Sequence, residues 1–402
     1  MNLNKVKFLN TLGKTALDSV DLIKSSKPFS NEVIIFLDIL SKEIFKDHRV
    51  KRFPDVATFA FYCRKSNILQ LKGRFYNDNS TRLSIGVVFH IAPSNVPVNF
   101  AYTLLVGLLT GNFNIVRVPS KFYEQVEIII SAINALSNRD NLLLISNRIV
   151  LVSYGRTNNA TEIFSSICHA RVIWGGDETI KNIRENLIPA RAFDVTFADR
   201  YSICIINADK FINEKHPEKI VTGFYNDTYL FDQNACTSPH LVSWTGSNLN
   251  VIKAKKIFWD SLHTLISSKY EIASVLAIDK VVNFCEQAIQ SGKIQLIDRK
   301  DNLLWRVDIG EVQVDVDQFR CNSGYFSECH ISNIFSLSKI INNKYQTLSY
   351  YGFSKKELKE FSDQSGMVGI DRIVPIGATM DFSLIWDGRN LINTLSREVE
   401  IV

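Results

Sequence analysis

The sequence predicts an α/β protein of more than one domain, built on a parallel sheet of Rossmann type. Three observations carry that prediction. Between residues 83 and 176, β-branched runs alternate with helix-length apolar or amphipathic segments, as in a parallel sheet with crossover helices. The first of these runs, LSIGVVFHIAP, is closed by proline and reads as a buried strand, covered on both faces. The chain has 402 residues, more than one hydrophobic core ordinarily organises.

The first eighty residues read as helical. In NEVIIFLDILSKEIF (31–45) the apolar residues recur at the spacing of one helix face. Pro54-Asp55 opens a second helix, PDVATFAFYCRK, because proline is tolerated in a first turn. The strand LSIGVVFHIAP (83–93) comes next, followed by the apolar helix NFAYTLLVGLLTG, which stops at Gly111. FNIVRVP is a second strand and KFYEQVEIIISAINALSN (121–138) a second helix. NRIVLVSYG is the third strand, then a short helix, then ARVIWGG (170–176) as the fourth. YSICIINAD (201–209) is read as the next strand, with a domain boundary near residue 206. The expected division is a helical region 1–80, a Rossmann-type domain 81–205, a second α/β domain 206–378 and a C-terminal segment 379–402.

Composition removes several classes of function. Hydrophobic residues make up 46% and charged residues 22%, ordinary values for a globular protein. Forty-six basic against 41 acidic residues leave +5, too weak and scattered to argue for nucleic acid. MNLNKVKFLN has no continuous apolar core of a secretion signal. The longest apolar stretch, residues 96–109, contains Pro97, Asn99 and Gly107 and falls short of the ~20 residues that cross a bilayer. Seven widely spaced cysteines without a C-x-x-C pair argue against a disulfide framework or a metal site, and for a reducing, cytoplasmic setting.

Four segments carry chemistry. Pro93-Ser94-Asn95-Val96-Pro97 lies in a strand-to-helix turn, at the carboxyl edge where parallel sheets bind ligands. The Asn95 amide there is placed to donate to a developing oxyanion, or simply to bond its own backbone. The turn after the second strand holds Arg117, Ser120 and Lys121, suited to a phosphate beside a helix N-terminus or to plain solvation. Gly175-Gly176 allows close approach of a ligand to the backbone, and also makes a tight turn. In FDQNACTSPH (231–240), Cys236 is followed by small polar residues and proline, a loop in which a thiol is exposed and activated. The other six cysteines, such as Cys204 within an apolar strand, read as packing residues. His240 stands four residues on as a candidate base, without a third group to orient it.

Taken together, HIAPSNVPVNF, LLTGNFNIVRVPS, FDQNACTSPH and GIDRIVPIGATMDFSLIWDG resemble the aldehyde dehydrogenase superfamily, and within it the acyl-CoA reductase (LuxC) family. The resemblance runs from about Phe53 to the C-terminus. It implies an aldehyde-dehydrogenase-like fold, in which the Rossmann-type domain is a cofactor domain and the second α/β domain is catalytic. Residue by residue, it implies that Cys236 is the nucleophile and that Asn95 stabilises the oxyanion. It further implies that Gly175 and Gly176 lie near the cofactor pyrophosphate, with Arg117, Ser120 and Lys121 near the adenosine ribose. Lys121 stands where the superfamily pattern has glutamate. That favours NADPH over NADH, because a 2′-phosphate is met by basic groups and a 2′-hydroxyl by acidic ones.

Three departures sharpen the expectation. Oxidative members activate water with a glutamate, whereas the corresponding stretch here is Phe197-Ala198-Asp199-Arg200. Gln233 precedes Cys236 by three residues instead of two. The late glutamate segment that holds the nicotinamide ribose is absent, leaving Glu328 as a faint substitute. The implied activity is reduction of a long-chain acyl-CoA or acyl-protein thioester to the aldehyde, through an acyl group on Cys236. An acyl-protein synthetase partner and a homo-oligomer are the implied associations. The alternatives are a non-reducing acyl-carrying subunit and an oxidative dehydrogenase.

Overall fold

The computed structural model describes every residue except 1, 2, 4, 78–80, 94–95, 156–158, 293, 298 and 402. The chain forms two compact units, Met1–Ala198 with Phe382–Val402, and Asp199–Asp381.

The first unit is organised by a six-stranded sheet. Its strands are β1 (Lys7–Phe8), β3 (Val87–Ile91), β4 (Phe113–Arg117), β5 (Ile149–Ser153), β6 (Ala170–Trp174) and β7 (Phe193–Phe197), while β2 (Arg82–Ser84) lies outside it. The order is β1-β5-β4-β3-β6-β7. All neighbours are parallel except β1, which caps the β5 edge antiparallel. Strands β3 and β4 are almost wholly buried, as their mainly apolar sequences favour, with His90 and Asn114 bonded to each other inside.

The run 83–93 is not one strand. Gly86 sits at φ +124, and a Cβ there would meet the His169 ring at 2.7 Å. The chain bends at this position, so β2 pairs antiparallel with Ser396–Glu398 instead of continuing into the sheet. Arg82 secures that pairing, donating to the Ser396 hydroxyl at 2.8 Å and to the Asn393 and Ser396 carbonyls. The second expected helix starts at Glu124, leaving Lys121 and Phe122 exposed ahead of it.

Neither terminal segment stands apart from the Rossmann-type sheet. Helix Asn31–Ile44, capped by the Ser30 hydroxyl, buries Val33, Phe36, Leu37, Leu40 and Ile44. That face shares one core with Ile129, Ile133 and Leu136 of helix Glu124–Ser137 and with Leu391, Ile392 and Leu395 near the C-terminus. A helix of this length needs such a partner to bury its apolar stripe.

The second unit holds β8 (Tyr201–Asn207), β9 (Pro239–Thr245), β10 (Gln295–Leu296), β11 (Trp305–Asp308), β12 (Tyr325–His330), β13 (Tyr345–Tyr351) and β14 (Arg372–Pro375). Their order is β10-β11-β12-β9-β8-β13-β14, parallel except at β10. β8 therefore belongs here, between β9 and β13, and the chain changes units between Ala198 and Asp199, ahead of the expected boundary near 206. Pairing with β9 and β13 sets this placement, and the alternation along β8 fills a core on each face. Tyr201, Ile203 and Ile205 enter one core, while Cys204 and Ile206 enter the core on the opposite face.

Candidate active site

In the first unit the chain steps outward from β3 through β4 to β5, then returns to β6 on the other side of β3. Such a reversal opens a crevice beyond the carboxyl ends of the strands, where α/β sheets bind ligands. Three of the segments selected from sequence meet this edge. The turn after β3 carries Asn95, which lies outside the described residues. After β4, Val118 and Pro119 are buried while Ser120 and Lys121 are exposed. After β6 come Gly175 and Gly176.

The two basic residues differ. Arg117 places its guanidinium 4.6 Å from the centre of the Tyr154 ring and donates to the Tyr154 carbonyl at 3.4 Å. This holds the side chain against the sheet edge. Lys121 lies 5.3 Å from the Tyr123 ring with its surroundings open to solvent.

The two glycines differ as well. The Gly175 N–H donates to the Phe197 carbonyl at 3.1 Å, and a Cβ there would press Thr179 at 3.0 Å. At Gly176 the backbone is ordinary, φ −66, and a Cβ would meet nothing within 4 Å. Among the described residues, no neighbour requires glycine at 176, and the backbone there lies open to close approach. Helix Asp177–Arg184 begins there with Asp177 and Glu178 in its first turn, which already complement its N-terminus.

Trp174, which ends β6, stacks on Phe197 at 3.9 Å and meets Trp386 edge-on at 5.4 Å. His90, in β3, is a core residue. Its ring lies 2.7 Å from the Thr103 hydroxyl and 3.0 Å from Asn114, and burial lowers its pKa to about 4.

In the second unit, Cys236 lies half-buried in the loop joining helix Pro217–Thr228 to β9. Gln233 anchors that loop and is fully buried. Its Nε2 donates to the carbonyls of Pro239 at 3.0 Å and Tyr325 at 3.1 Å, and its Oε1 accepts the Gly324 N–H at 2.9 Å. Asp232 and Gln233 are both left-handed, φ +51 and +59, a conformation that costs non-glycine residues ~1–2 kcal/mol each. The surrounding bonds hold it in place. Tyr270 donates to Asp232 at 2.6 Å, the Ser323 N–H donates to the Asp232 carbonyl, and Asn322 donates to Asn234 at 2.6 Å. The Cys236 carbonyl accepts the Ser202 hydroxyl at 2.6 Å. The sequence resemblance made Gln233 a matter of spacing; the structure makes it the fastening of the cysteine loop.

The other cysteines read as expected in part. Cys63, Cys168, Cys204 and Cys329 are buried, and burial pushes their thiols up, to about 12 for Cys204 and about 11 for Cys168 and Cys329. Cys321 is half-buried and Cys285 exposed. Among the described residues, no cluster of His, Cys, Asp and Glu is arranged to hold a metal ion. No helix there is long and apolar enough to cross a membrane.

His240 does not have the setting of a base. It is buried in β9, stacks on Tyr201 at 5.6 Å, and donates from Nδ1 to the Cys321 carbonyl at 3.1 Å. Burial, with the charge of Arg320, pushes its pKa well below the usual histidine value, so it is a neutral ring of low basicity. Glu328 is likewise committed. It is fully buried, with Oε1 accepting Arg306 at 2.6 and 3.1 Å and Oε2 accepting the indoles of Trp244 and Trp259, each at 3.1 Å. Lys255 adds a contact at 3.5 Å. Its acceptor sites are filled by protein donors, which leaves none for a ribose.

The stretch Gly369–Gly388 had no evident chemistry in the sequence. Its first part folds against the cysteine loop. Arg372 gathers the carbonyls of Ala378, Thr379 and Asp381 at 2.8–2.9 Å. Asp227 accepts the N–H groups of Gly377 at 2.6 Å and Thr379 at 3.1 Å. The Thr237 hydroxyl, next to Cys236, reaches the Met380 sulfur at 3.2 Å. In the stretch that replaces the glutamate segment, Asp199 pairs with Arg320 at 2.7 Å and Arg200 donates to the Asn343 carbonyl.

Comparison with known proteins bears on the fold and the family. The salicylaldehyde dehydrogenase of Pseudomonas putida G7 superposes with a TM-score of 0.67 at 10% identity, over 97% of this chain and 88% of that one. The glyceraldehyde-3-phosphate dehydrogenase GapN of Methanocaldococcus jannaschii gives 0.64 at 14% identity, over 96% and 92%. These likenesses establish the fold, that of the aldehyde dehydrogenases. In sequence, the long-chain acyl-protein thioester reductase of Aliivibrio fischeri is 24% identical over 298 residues, 73% of this chain and 58% of that protein. The protein of the same description from Vibrio harveyi is 23% identical over 301 residues, again 58% of its length. The chain thus spans less than two thirds of the curated relatives it matches. The acyl-CoA reductase (LuxC) pattern matches residues 72–398, and on that extent, with the fold in agreement, the chain belongs to the acyl-CoA reductase (LuxC) family.

Proposed function

We propose that this chain reduces a long-chain acyl thioester to the aldehyde through an acyl group carried on Cys236. The observation that carries the reading is the cysteine loop, a half-buried thiol on a strained turn fastened by Gln233 and Ser202. Strain of this kind persists where surrounding structure over-determines it, which is common at reactive sites. The relatives named as acyl-protein thioester reductases supply the substrate class.

The Cys236 thiolate attacks the donor's carbonyl carbon. A carbon–sulfur bond forms to Cys236, and the donor's thiolate, of coenzyme A or a carrier protein, leaves and takes up a proton. Asn95 and the Cys236 backbone N–H stabilise the tetrahedral oxyanion. A nicotinamide cofactor, when bound, supplies the hydride. Ser120, Lys121, Gly175 and Gly176 are the residues that would hold it, at an edge whose open glycine and exposed lysine fit a phosphate-bearing ligand. The reduced carbon then remains on sulfur as a thiohemiacetal, which collapses to aldehyde and regenerated thiolate. Lys121 favours the 2′-phosphate of NADPH. An acyl-protein synthetase is the natural source of an acyl-protein donor.

The test is covalent labelling. Incubated with radiolabelled acyl-CoA and no cofactor, the protein is expected to carry label on the peptide containing Cys236, and NADPH is expected to release it as aldehyde. Equal labelling of Cys236→Ala overturns the nucleophile. Stable labelling that NADPH does not discharge favours an acyl-carrying subunit instead.

A further inference from the structure

Asp227 is the penultimate residue of helix Pro217–Thr228 and only 1% exposed. It faces two ways. Its side-chain oxygens accept the Gly377 and Thr379 N–H groups, while its main-chain carbonyl accepts the Ser238 hydroxyl at 2.7 Å, two residues beyond Cys236. The turn it holds lies directly on the helix. A Cβ on Gly223, one turn earlier, would stand 3.0 Å from the Gly377 Cα, and Gly377 itself is left-handed at φ +94. Arg372 holds the same turn by its carbonyls, and Met380 within it touches Thr237. The contacts close a circuit from Asp227 through Thr379 and Met380 to Thr237 and Ser238, and back to Asp227. Cys236 is the next residue along the chain from that circuit.

We infer that Asp227 is the positioning residue of the Cys236 loop, its carboxylate fixing the turn against which the loop is seated. The charged and titratable groups facing it are Asp381 from the turn and Cys204 from β8, with Arg372 drawn to Asp381 and the turn carbonyls. Burial, reinforced by Asp381, raises the Asp227 carboxyl to about 6 against the pull of the two N–H donors. Above that pH it is a charged acceptor for two amides; below it, one of its oxygens bears a proton. Asp227→Asn has the shape but turns one amide-facing oxygen into a donor.

This inference rests on the reading of Cys236 as the reacting thiol, but its test needs neither acyl donor nor nicotinamide. The rate of Cys236 alkylation by iodoacetamide, read by peptide mass on the full chain, is compared in wild type and Asp227→Asn from pH 5 to pH 8. Above pH 6 the variant is expected to react about ten-fold more slowly, the effect of one lost charge-assisted hydrogen bond on the loop's reactive geometry. Below about pH 6 the two rates are expected to converge, because the wild-type carboxyl is then protonated as well. No gap at any pH, or a gap of the same size at every pH, overturns the inference. If Asp227→Asn does not fold, wild type alone carries the test: its alkylation rate, corrected for the thiolate fraction, is expected to fall about ten-fold as pH drops through about 6, and no such fall overturns the inference. Normal alkylation without acylation would sink the proposed function and leave the positioning role standing.

Discussion

Replacing Gln233 by leucine tests whether one buried amide fastens the cysteine loop. Leucine nearly preserves the volume, so little cavity is created. What it removes is one acceptor and two N–H donors, one for each of two carbonyls. The carbonyls of Pro239 and Tyr325 and the N–H of Gly324 lose that side-chain partner in a region where Gln233 itself has no exposure. Each buried group left unsatisfied costs ~1–3 kcal/mol, and with partial relaxation the sum is about 3–6 kcal/mol. That is a large part of a domain's stability. Urea unfolding followed by fluorescence reads it, since Trp244, Trp259 and Trp305 all belong to the second unit. Gln233→Glu is the sharper control. At neutral pH it sets a carboxylate against two carbonyl oxygens, while at lower pH the protonated acid regains one donor, so its stability should rise as pH falls. A loss below about 1 kcal/mol for Gln233→Leu at unchanged m-value would refute the reasoning and reduce Gln233 to filler.

Three further outcomes follow from the site. Asn95→Ala is expected to lower the chemical rate by ~10²–10³-fold with a smaller change in the acyl-donor KM, and near-normal turnover would return Asn95 to a turn residue. Lys121→Glu is expected to lower the ratio of kcat/KM for NADPH over NADH, and an unchanged ratio would show that this lysine does not read the phosphate. Glu328→Gln leaves Arg306 and Lys255 facing each other without their shared carboxylate, and is expected to cost ~3–5 kcal/mol of stability. Its cofactor KM should hold steady in the folded variant; a selective rise would restore Glu328 as a cofactor ligand.

The parallel sheet of the first unit was legible because buried strands announce themselves as unbroken β-branched runs, and β3 through β6 lie within the expected segments. Apolarity alone does not say which sheet a strand joins. β8 reads like its predecessors, yet its partners are β9 and β13, and only long-range pairing decides that. The bend at Gly86 was hidden for a related reason, since its cause is the His169 ring far along the chain. In the candidate site, the loop position of Cys236 was legible, and the structure places it half-buried in a loop ahead of β9. Residues that act through partners were not legible. Gln233 is informative only once the carbonyls of Pro239 and Tyr325 are in place, and Asp227 carries no local signal at all. The signature 369–388 could be recognised but not explained, because its first part works through Asp227 and Arg372, residues whose tasks are backbone hydrogen bonds.

The chemistry proposed for Cys236 turns on what happens to an acyl group after it reaches sulfur. Hydrolysis needs a side chain able to take a proton from water, hence one with a free lone pair and adequate basicity. Among the described residues of the second unit, the titratable groups around the loop are already engaged by protein partners. His240 is a buried neutral ring of low basicity, with Nδ1 given to a carbonyl. Both oxygens of Asp227 accept main-chain N–H groups, and Glu328 is saturated by two indoles and a guanidinium. Where oxidative relatives place their glutamate, Asp199 is drawn into an ion pair with Arg320. Each of these carboxylates has been given a structural task. Exchange with another thiol and reduction by hydride need no such base, which suits the reduction proposed for Cys236.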